Sequence, residues 1–197
     1  MPEDKIVSHA KVGIIGGGIM GVSLLYHLAK EGWKDLVLIE KGELTSGSTW
    51  HAAGQCPQMM GGYNLAKIHR ESNNLYKKLE KETEQPTGFH ECGSLRIAYK
   101  KEDLDWFKYV KGILDNIGAP SEIISTNEIR KVHPFIKLDG ILGAFHTPDD
   151  GHTDPTSTTN AMAKGARNFG AKIYRKNRVT DIKLLPSGEW KLITEKG

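Results

Sequence analysis

His51 stands in "TSGSTWHAAG" at 45–54, where every neighbour except Trp50 is small and uncharged. A neutral imidazole nitrogen is a nucleophile at ordinary pH. Ala52, Ala53 and Gly54 would let a flat ligand lie against the chain beside it. Upstream, Gly16, Gly18 and Gly21 fall in the GxGxxG spacing within "KVGIIGGGIMGVSLLYHLAKEG" at 11–32. In that pattern the first glycine permits a tight turn, the second leaves room for a pyrophosphate, and the third lets a helix pack closely on a strand. Glu40 ends the apolar run of "DLVLIEK", nineteen residues after Gly21. A carboxylate at that spacing accepts hydrogen bonds from an adenosine ribose. Glu40 in place of an arginine-bearing loop disfavours a 2′-phosphate, and therefore NADP. On residue chemistry alone, His51 reads as a partner of a loop carbonyl or as a contact to the cofactor.

The elements around these residues are legible in the same stretch. Val12 to Ile15 has strand character, while Val22, Leu24, Leu25, Leu28 and Ala29 recur with helical spacing before Gly32. Eighteen residues from Val12 to Ala29 carry no formal charge, a length that could suggest a membrane span. Five glycines and His27 inside the run favour strand, glycine turn and helix instead. The helix N-terminus then offers unpaired N–H groups and about half a positive charge to phosphates. After Lys41 the chain enters the small-residue loop directly, rather than a further βα unit. That suits the extended body of a flavin better than a nicotinamide.

Further along, Asn64 to Glu84 reads as an amphipathic helix with Leu65, Ile68, Leu75 and Leu79 on its apolar face. "GSLRIAY" reads as a strand, "KEDLDWFKYVKGILDNIG" as a helix, "SEIIS" as a short strand, "TNEIRKVHP" as a capped helix stopped by Pro134, and "GILGAFHT" as a strand. "HTPDDGHTDP" at 146–155 raises a metal site, but it lacks His-x-x-x-His and EF-hand spacing, so no metal is expected. Asp154 and Pro155 instead suit the N-cap and first residue of a helix over "TSTTNAMAKGARNFG". The closing segment reads as two or three strands joined by a Pro-Ser-Gly turn. With 26% charged and 38% hydrophobic residues, the 197-residue chain has the balance of a soluble globular protein. Its net charge of +3 is spread without a basic run, so neither nucleic acid nor a membrane is an expected partner. Cys56 and Cys92 belong to no ligand spacing and read as reduced thiols, with a single disulfide left open.

"IIGGGIMGVSLLYHLAKEG", "VLIEKGELTSGSTWHAAG" and "DDGHTDP" resemble the dimethylglycine and sarcosine dehydrogenase family, within the glycine- and D-amino-acid-oxidase-like flavoproteins. The resemblance runs from about Lys11 to the end of the chain. It implies an α/β fold: a Rossmann-like FAD-binding domain of the glutathione-reductase/D-amino-acid-oxidase type, with part of an α+β substrate-binding domain inserted. The expected division is residues 1–85 and 151–197 for the FAD domain and 86–150 for the substrate domain. By position, the family's FAD contacts fall on Ile19, Met20, Glu40, Lys41, Gly47, Ser48, Thr49, Trp50, Ala52, Ala53, Gly54, Gln55 and Val179. Its covalent link to the flavin 8α-methyl carbon falls on His51, with Trp50 shielding the bond or packing beneath the loop.

The resemblance also makes His152 a pocket residue, and it places the catalytic side chains beyond residue 197, so the chain is expected to be an N-terminal part. The implied activity is oxidative N-demethylation of an N-methylated glycine, with oxygen or an electron-transfer flavoprotein as electron acceptor. Tetrahydrofolate would bind in a C-terminal region. Two rivals are a non-catalytic regulatory subunit, whose known members lack the histidine, and a noncovalent-flavin oxidase of another amino acid. No Arg/Ser-rich transit segment precedes Lys11, which favours a bacterial cytoplasm, with the mitochondrial matrix as the alternative.

Overall fold

The uncharged run resolves into a strand, a turn and a helix of twelve residues in the structure, a computed structural model that describes residues 6–197. In chain order the elements are β1 (Val12–Ile15), α1 (Ile19–Lys30), β2 (Leu36–Ile39), a 3-10 turn (Thr49–His51), β3 (Gln55–Cys56), α2 (Tyr63–Thr83), β4 (Ser94–Ala98) and α3 (Lys101–Asn116). They continue with β5 (Glu122–Ile124), α4 (Thr126–Val132), β6 (Gly143–Thr147), β7 (Gly151–His152), α5 (Pro155–Asn168), β8 (Lys172–Tyr174), β9 (Val179–Leu184) and β10 (Trp190–Thr194). Among the described residues, no helix is long and apolar enough to cross a membrane.

The chain divides into two compact units. Among the described residues, the first is built from 6–53, Leu79–Thr87 and Asp154–Gly197. Its parallel sheet has the order β1-β2-β8. All four residues of the central strand β2 are buried, as expected where helices and loops cover both faces of a parallel sheet. On α1 the buried residues Val22, Leu25, Tyr26 and Ala29 form one stripe, and the helix packs on α5. Gly165 of α5 makes that approach possible, because a Cβ there would lie 2.7 Å from the Tyr26 ring. The Tyr26 hydroxyl donates to Glu82 at 2.8 Å, and Lys30 completes the group with an ion pair to Glu82 at 2.9 Å. α5 begins as its sequence suggests: the Asp154 carboxylate accepts from the Ser157 N–H at 2.6 Å, and Pro155 is the first helical residue. β9 and β10 form an antiparallel ribbon, and Val179 and Leu192 from it pack on Val37, Ile39 and Tyr174.

The second unit comprises Gly54–Lys78 and Gly88–Thr153. Its strands and helices follow the order read from sequence, but the sheet order is β4-β6-β5, with β6 central and antiparallel to both neighbours. The core of α3 against this sheet contains Phe107, Val110, Leu114 and Phe145. Cys56 and Cys92 are free thiols.

The apolar face expected for α2 is buried only towards its C-terminal end, where Leu79 is fully buried and Leu75 half-buried. Leu65 and Ile68 are 49% and 62% exposed, whereas Ala66 and Asn73 are buried. The inward residues of the N-terminal half are Ala66, which packs in the apolar core with Met59 and Phe107, and His69, Arg70 and Asn73, which are held by hydrogen bonds. Asn73 donates to the Cys56 carbonyl at 2.9 Å, His69 Nδ1 lies 2.7 Å from the Pro57 carbonyl, and Arg70 donates to the Gln58 side chain. Polar side chains occupy this face because the irregular chain after β3 presents acceptors that must be satisfied.

Candidate functional site

The glycine turn is shaped by three separate constraints. Gly16 sits at φ +109°, in a region side-chain-bearing residues rarely adopt, and its N–H donates to the Ile39 carbonyl at 2.9 Å. A Cβ at Gly16 would meet nothing within 4 Å, so the turn faces open space there. A Cβ at Gly21 would run into the Gly16 carbonyl oxygen, which explains the close approach of α1 to the turn. Gly18 has a neighbour the sequence did not reveal. The Thr49 hydroxyl accepts from the Ile19 N–H at 3.0 Å, and a Cβ at Gly18 would lie 3.0 Å from that oxygen. Thr49 thus caps the first turn of α1 from the loop that follows β2.

Glu40 is buried and already engaged by the main chain. One carboxylate oxygen accepts from Gly17 N–H at 2.6 Å and the other from Gly42 N–H at 2.7 Å. These bonds fasten the end of β2 to the glycine turn and orient the carboxylate, whose remaining lone pairs can still accept from hydroxyls. Beside it lies a cleft of about 290 Å³ lined by Ile15, Gly16, Ile39, Glu40, Lys41, Arg178 and Val179. Four residues singled out in the sequence, Gly16, Glu40, Lys41 and Val179, therefore share one cavity. Arg178 shares it too and was missed, because a single arginine in "KNRVTDIK" looks like surface charge.

The loop after β2 folds onto the turn. Thr45, at φ +71°, donates its N–H to the Gly17 carbonyl at 3.0 Å, and Gly17 leaves space that Leu44 and the Glu40 stem fill. Gly47, Ser48, Trp50, His51, Ala52 and Ala53 are all exposed, as is Met20 at the start of α1. Trp50 does not pack beneath the loop. It is 58% exposed and lies against the imidazole of His51, with ring centroids 3.9 Å apart, while Thr49 is the residue of the 3-10 turn that is buried. His51 Nδ1 is 3.2 Å from the Gly47 carbonyl oxygen. A carbonyl only accepts, so Nδ1 is the donor, and in the neutral ring the lone pair is then on Nε2. Gly54 and Gln55 open the second unit, where Gln55 pairs with His152. His152 exchanges backbone hydrogen bonds with His90, and their rings are 5.2 Å apart. Among the described residues, no three potential ligands converge as a metal site would require.

A strand, glycine turn, helix and ribose-type carboxylate around an open cleft can hold an adenine dinucleotide. A family model described as FAD dependent oxidoreductase matches residues 11–197. The chain belongs to this family. It is 46% identical over its whole length to the mitochondrial dimethylglycine dehydrogenase of Rattus norvegicus, covering 23% of that protein. It is 35% identical to the mitochondrial pyruvate dehydrogenase phosphatase regulatory subunit of Mus musculus, over 96% of the chain and 22% of the relative. The crystal structure of L-proline dehydrogenase from P. horikoshii superimposes with a TM-score of 0.88 at 29% identity, covering 98% of this chain and 50% of that one. The fold is thus the FAD-binding fold of this family, with mixed α/β content. The chain spans about a fifth of the length of these two curated relatives.

Proposed function

We propose that the chain is the FAD-binding part of an oxidoreductase that demethylates an N-methylated glycine such as dimethylglycine or sarcosine. The observation that carries this reading is His51, an exposed imidazole with Nε2 uncommitted, on a loop fastened to a dinucleotide turn. Support also comes from the 46% identity to a dimethylglycine dehydrogenase. In this reading His51 is the covalent flavin link, with Nε2 as the bonding atom and the Gly47 carbonyl holding the ring in the productive tautomer. Trp50, against the imidazole, limits its rotation and shields the bond.

The first unit serves as the cofactor domain, with Gly16, Gly18 and Gly21 shaping the phosphate turn. The main-chain N–H of Met20 would face the phosphates, with Ile19 beside it and its own N–H held by Thr49, and Glu40 and Lys41 would face the ribose. Val179 would meet the adenine edge, while Gly47 to Gln55 would run along the cofactor. The second unit, in the same reading, is part of the substrate domain. Bound FAD supplies the acceptor for a hydride equivalent from the carbon next to the substrate nitrogen. The electron acceptor, oxygen or an electron-transfer flavoprotein, and tetrahydrofolate as acceptor of the one-carbon unit belong to the same proposal. The rat relative is mitochondrial by name, which favours the matrix over a bacterial cytoplasm.

Acid precipitation of the full-length protein tests the link. Flavin colour stays on the precipitate in the wild type and is lost in His51→Ala; colour retained by the variant rules out His51. Turnover of dimethylglycine and sarcosine, with oxygen and with an electron-transfer flavoprotein in turn, tests the activity. The regulatory-subunit rival, favoured by the 35% identity to such a protein, requires no turnover in any of these assays.

A further inference from the structure

We propose that Arg178 grips the adenine end of the dinucleotide by laying its guanidinium on the face of the base; this rests on the dinucleotide reading above. The cleft assigns its walls in order. Its glycine-turn wall, Ile15 and Gly16, suits the pyrophosphate, and Glu40 suits the ribose, which leaves the base to the wall made by Arg178 and Val179. The backbone under Arg178 is fixed on three sides. Asn177, 1% exposed, donates its N–H to the Glu40 carbonyl at 3.0 Å, the Arg178 carbonyl accepts from Glu195 N–H at 2.9 Å, and Val179 pairs with Thr194.

The guanidinium, by contrast, is uncommitted. Nearby Arg175 and Lys176 both pair with Glu43, at 2.6 and 3.1 Å. Among the described residues Arg178 forms no ion pair, and its side chain is exposed. The carboxylate sharing its cleft, Glu40, already faces the Gly17 and Gly42 N–H groups. A planar, weakly hydrated cation that lines such a cleft on a fixed backbone is suited to stacking on an aromatic face. This also revises the discrimination read from Glu40 alone, since an arginine does share the cleft with Glu40. Stacking on the base and pairing with a 2′-phosphate make opposite predictions.

Calorimetric titration separates them, with full-length protein produced flavin-free in a riboflavin-starved host and ADP, 2′,5′-ADP and FMN as probes. ADP is expected to bind the wild type more tightly than 2′,5′-ADP. Arg178→Ala is expected to weaken ADP about three- to tenfold, the range of a cation–π contact, while FMN, which lacks the adenosine half, binds unchanged. Arg178→Lys, which keeps the charge without the plane, falls between. Equal ADP affinity in wild type and Arg178→Ala overturns the proposal and leaves the dinucleotide reading intact. Preference for 2′,5′-ADP that disappears in Arg178→Ala overturns it in favour of a 2′-phosphate contact. A wild type that binds no ADP overturns the dinucleotide reading, and this proposal with it.

Discussion

Gly21→Ala and Gly112→Ala make the same chemical change in two helices and should move stability in opposite directions. In an open helix interior, alanine is favoured over glycine by about 0.5–1 kcal/mol because it has less backbone freedom to lose on folding. Gly112 in α3 meets that condition, since a Cβ there has nothing within 4 Å. Gly21 does not, because its Cβ would fall well under 3.0 Å from the Gly16 carbonyl oxygen and 3.3 Å from Ile14 Cγ2. The oxygen belongs to the backbone and cannot rotate away, and Gly16 is held by its bond to Ile39. Retreat of the helix is opposed on its other side, where Tyr26 fills the space left by Gly165. Overpacking of this kind costs about 3 kcal/mol at the upper end of its usual range. After the propensity gain, Gly21→Ala should lose about 2 kcal/mol, which for a chain of this size lowers Tm by about 4–8 °C. Gly112→Ala should raise Tm by about 1–4 °C. Thermal unfolding of the chain by circular dichroism decides it. A Gly21→Ala protein as stable as wild type would refute the close-approach account of this glycine.

Glu40→Gln should destabilise the flavin-free protein by about 1–3 kcal/mol, because an amide offers one acceptor where two main-chain donors converge; unchanged urea unfolding would show that the carboxylate does not brace the turn. Asp154→Ala should cost about 1 kcal/mol near neutral pH through loss of the α5 cap. The side-chain hydrogen bond with Ser157 holds the Asp154 carboxyl below the usual carboxylate range. Its contribution is therefore complete above the unfolded value of about 3.9 and lost as pH falls through the lower folded value. A wild-type-to-variant gap that stays constant from pH 6 down to pH 2 contradicts this. Burial pushes the Cys56 thiol up to about 11, whereas Cys92 is exposed. Iodoacetamide at pH 8 should label the native protein once, at Cys92, and the unfolded protein twice; mass spectrometry finding Cys56 labelled in the native state contradicts the burial argument.

What was legible in the sequence was local. The glycine spacing, the strand ending in Glu40 and the Asp154-Pro155 helix start each depend on residues close along the chain, and each appears where expected. The inward face of α2 was legible at Leu79 but misread at Leu65 and Ile68, because apolar periodicity cannot register the hydrogen bonds by which Asn73 and His69 reach main-chain carbonyls and Arg70 reaches Gln58. The central place of β6 depends on pairings between distant strands, which no local pattern encodes. Arg178 escaped for the same reason, since its cleft is assembled from positions 15–16, 39–41 and 178–179. Thr49 was expected as a cofactor contact, but its hydroxyl bond to Ile19 became visible only in three dimensions.

The pairing of β2 with β8 also sets a timetable. Val37 meets Lys172, so during synthesis at about 5–20 residues per second the central strand waits roughly 7–27 s for its second neighbour. Throughout that interval a fully apolar strand presents an unpaired edge, the condition that slows folding and invites chaperone binding. The cleft wall carrying Arg178 and Val179 emerges later still. Gly16 precedes Val179 by 163 residues, so the cavity they line together closes only after the ribosome has passed residue 179. Assembly of this cleft is thus timed by the wall of Arg178 and Val179 rather than by the glycine turn.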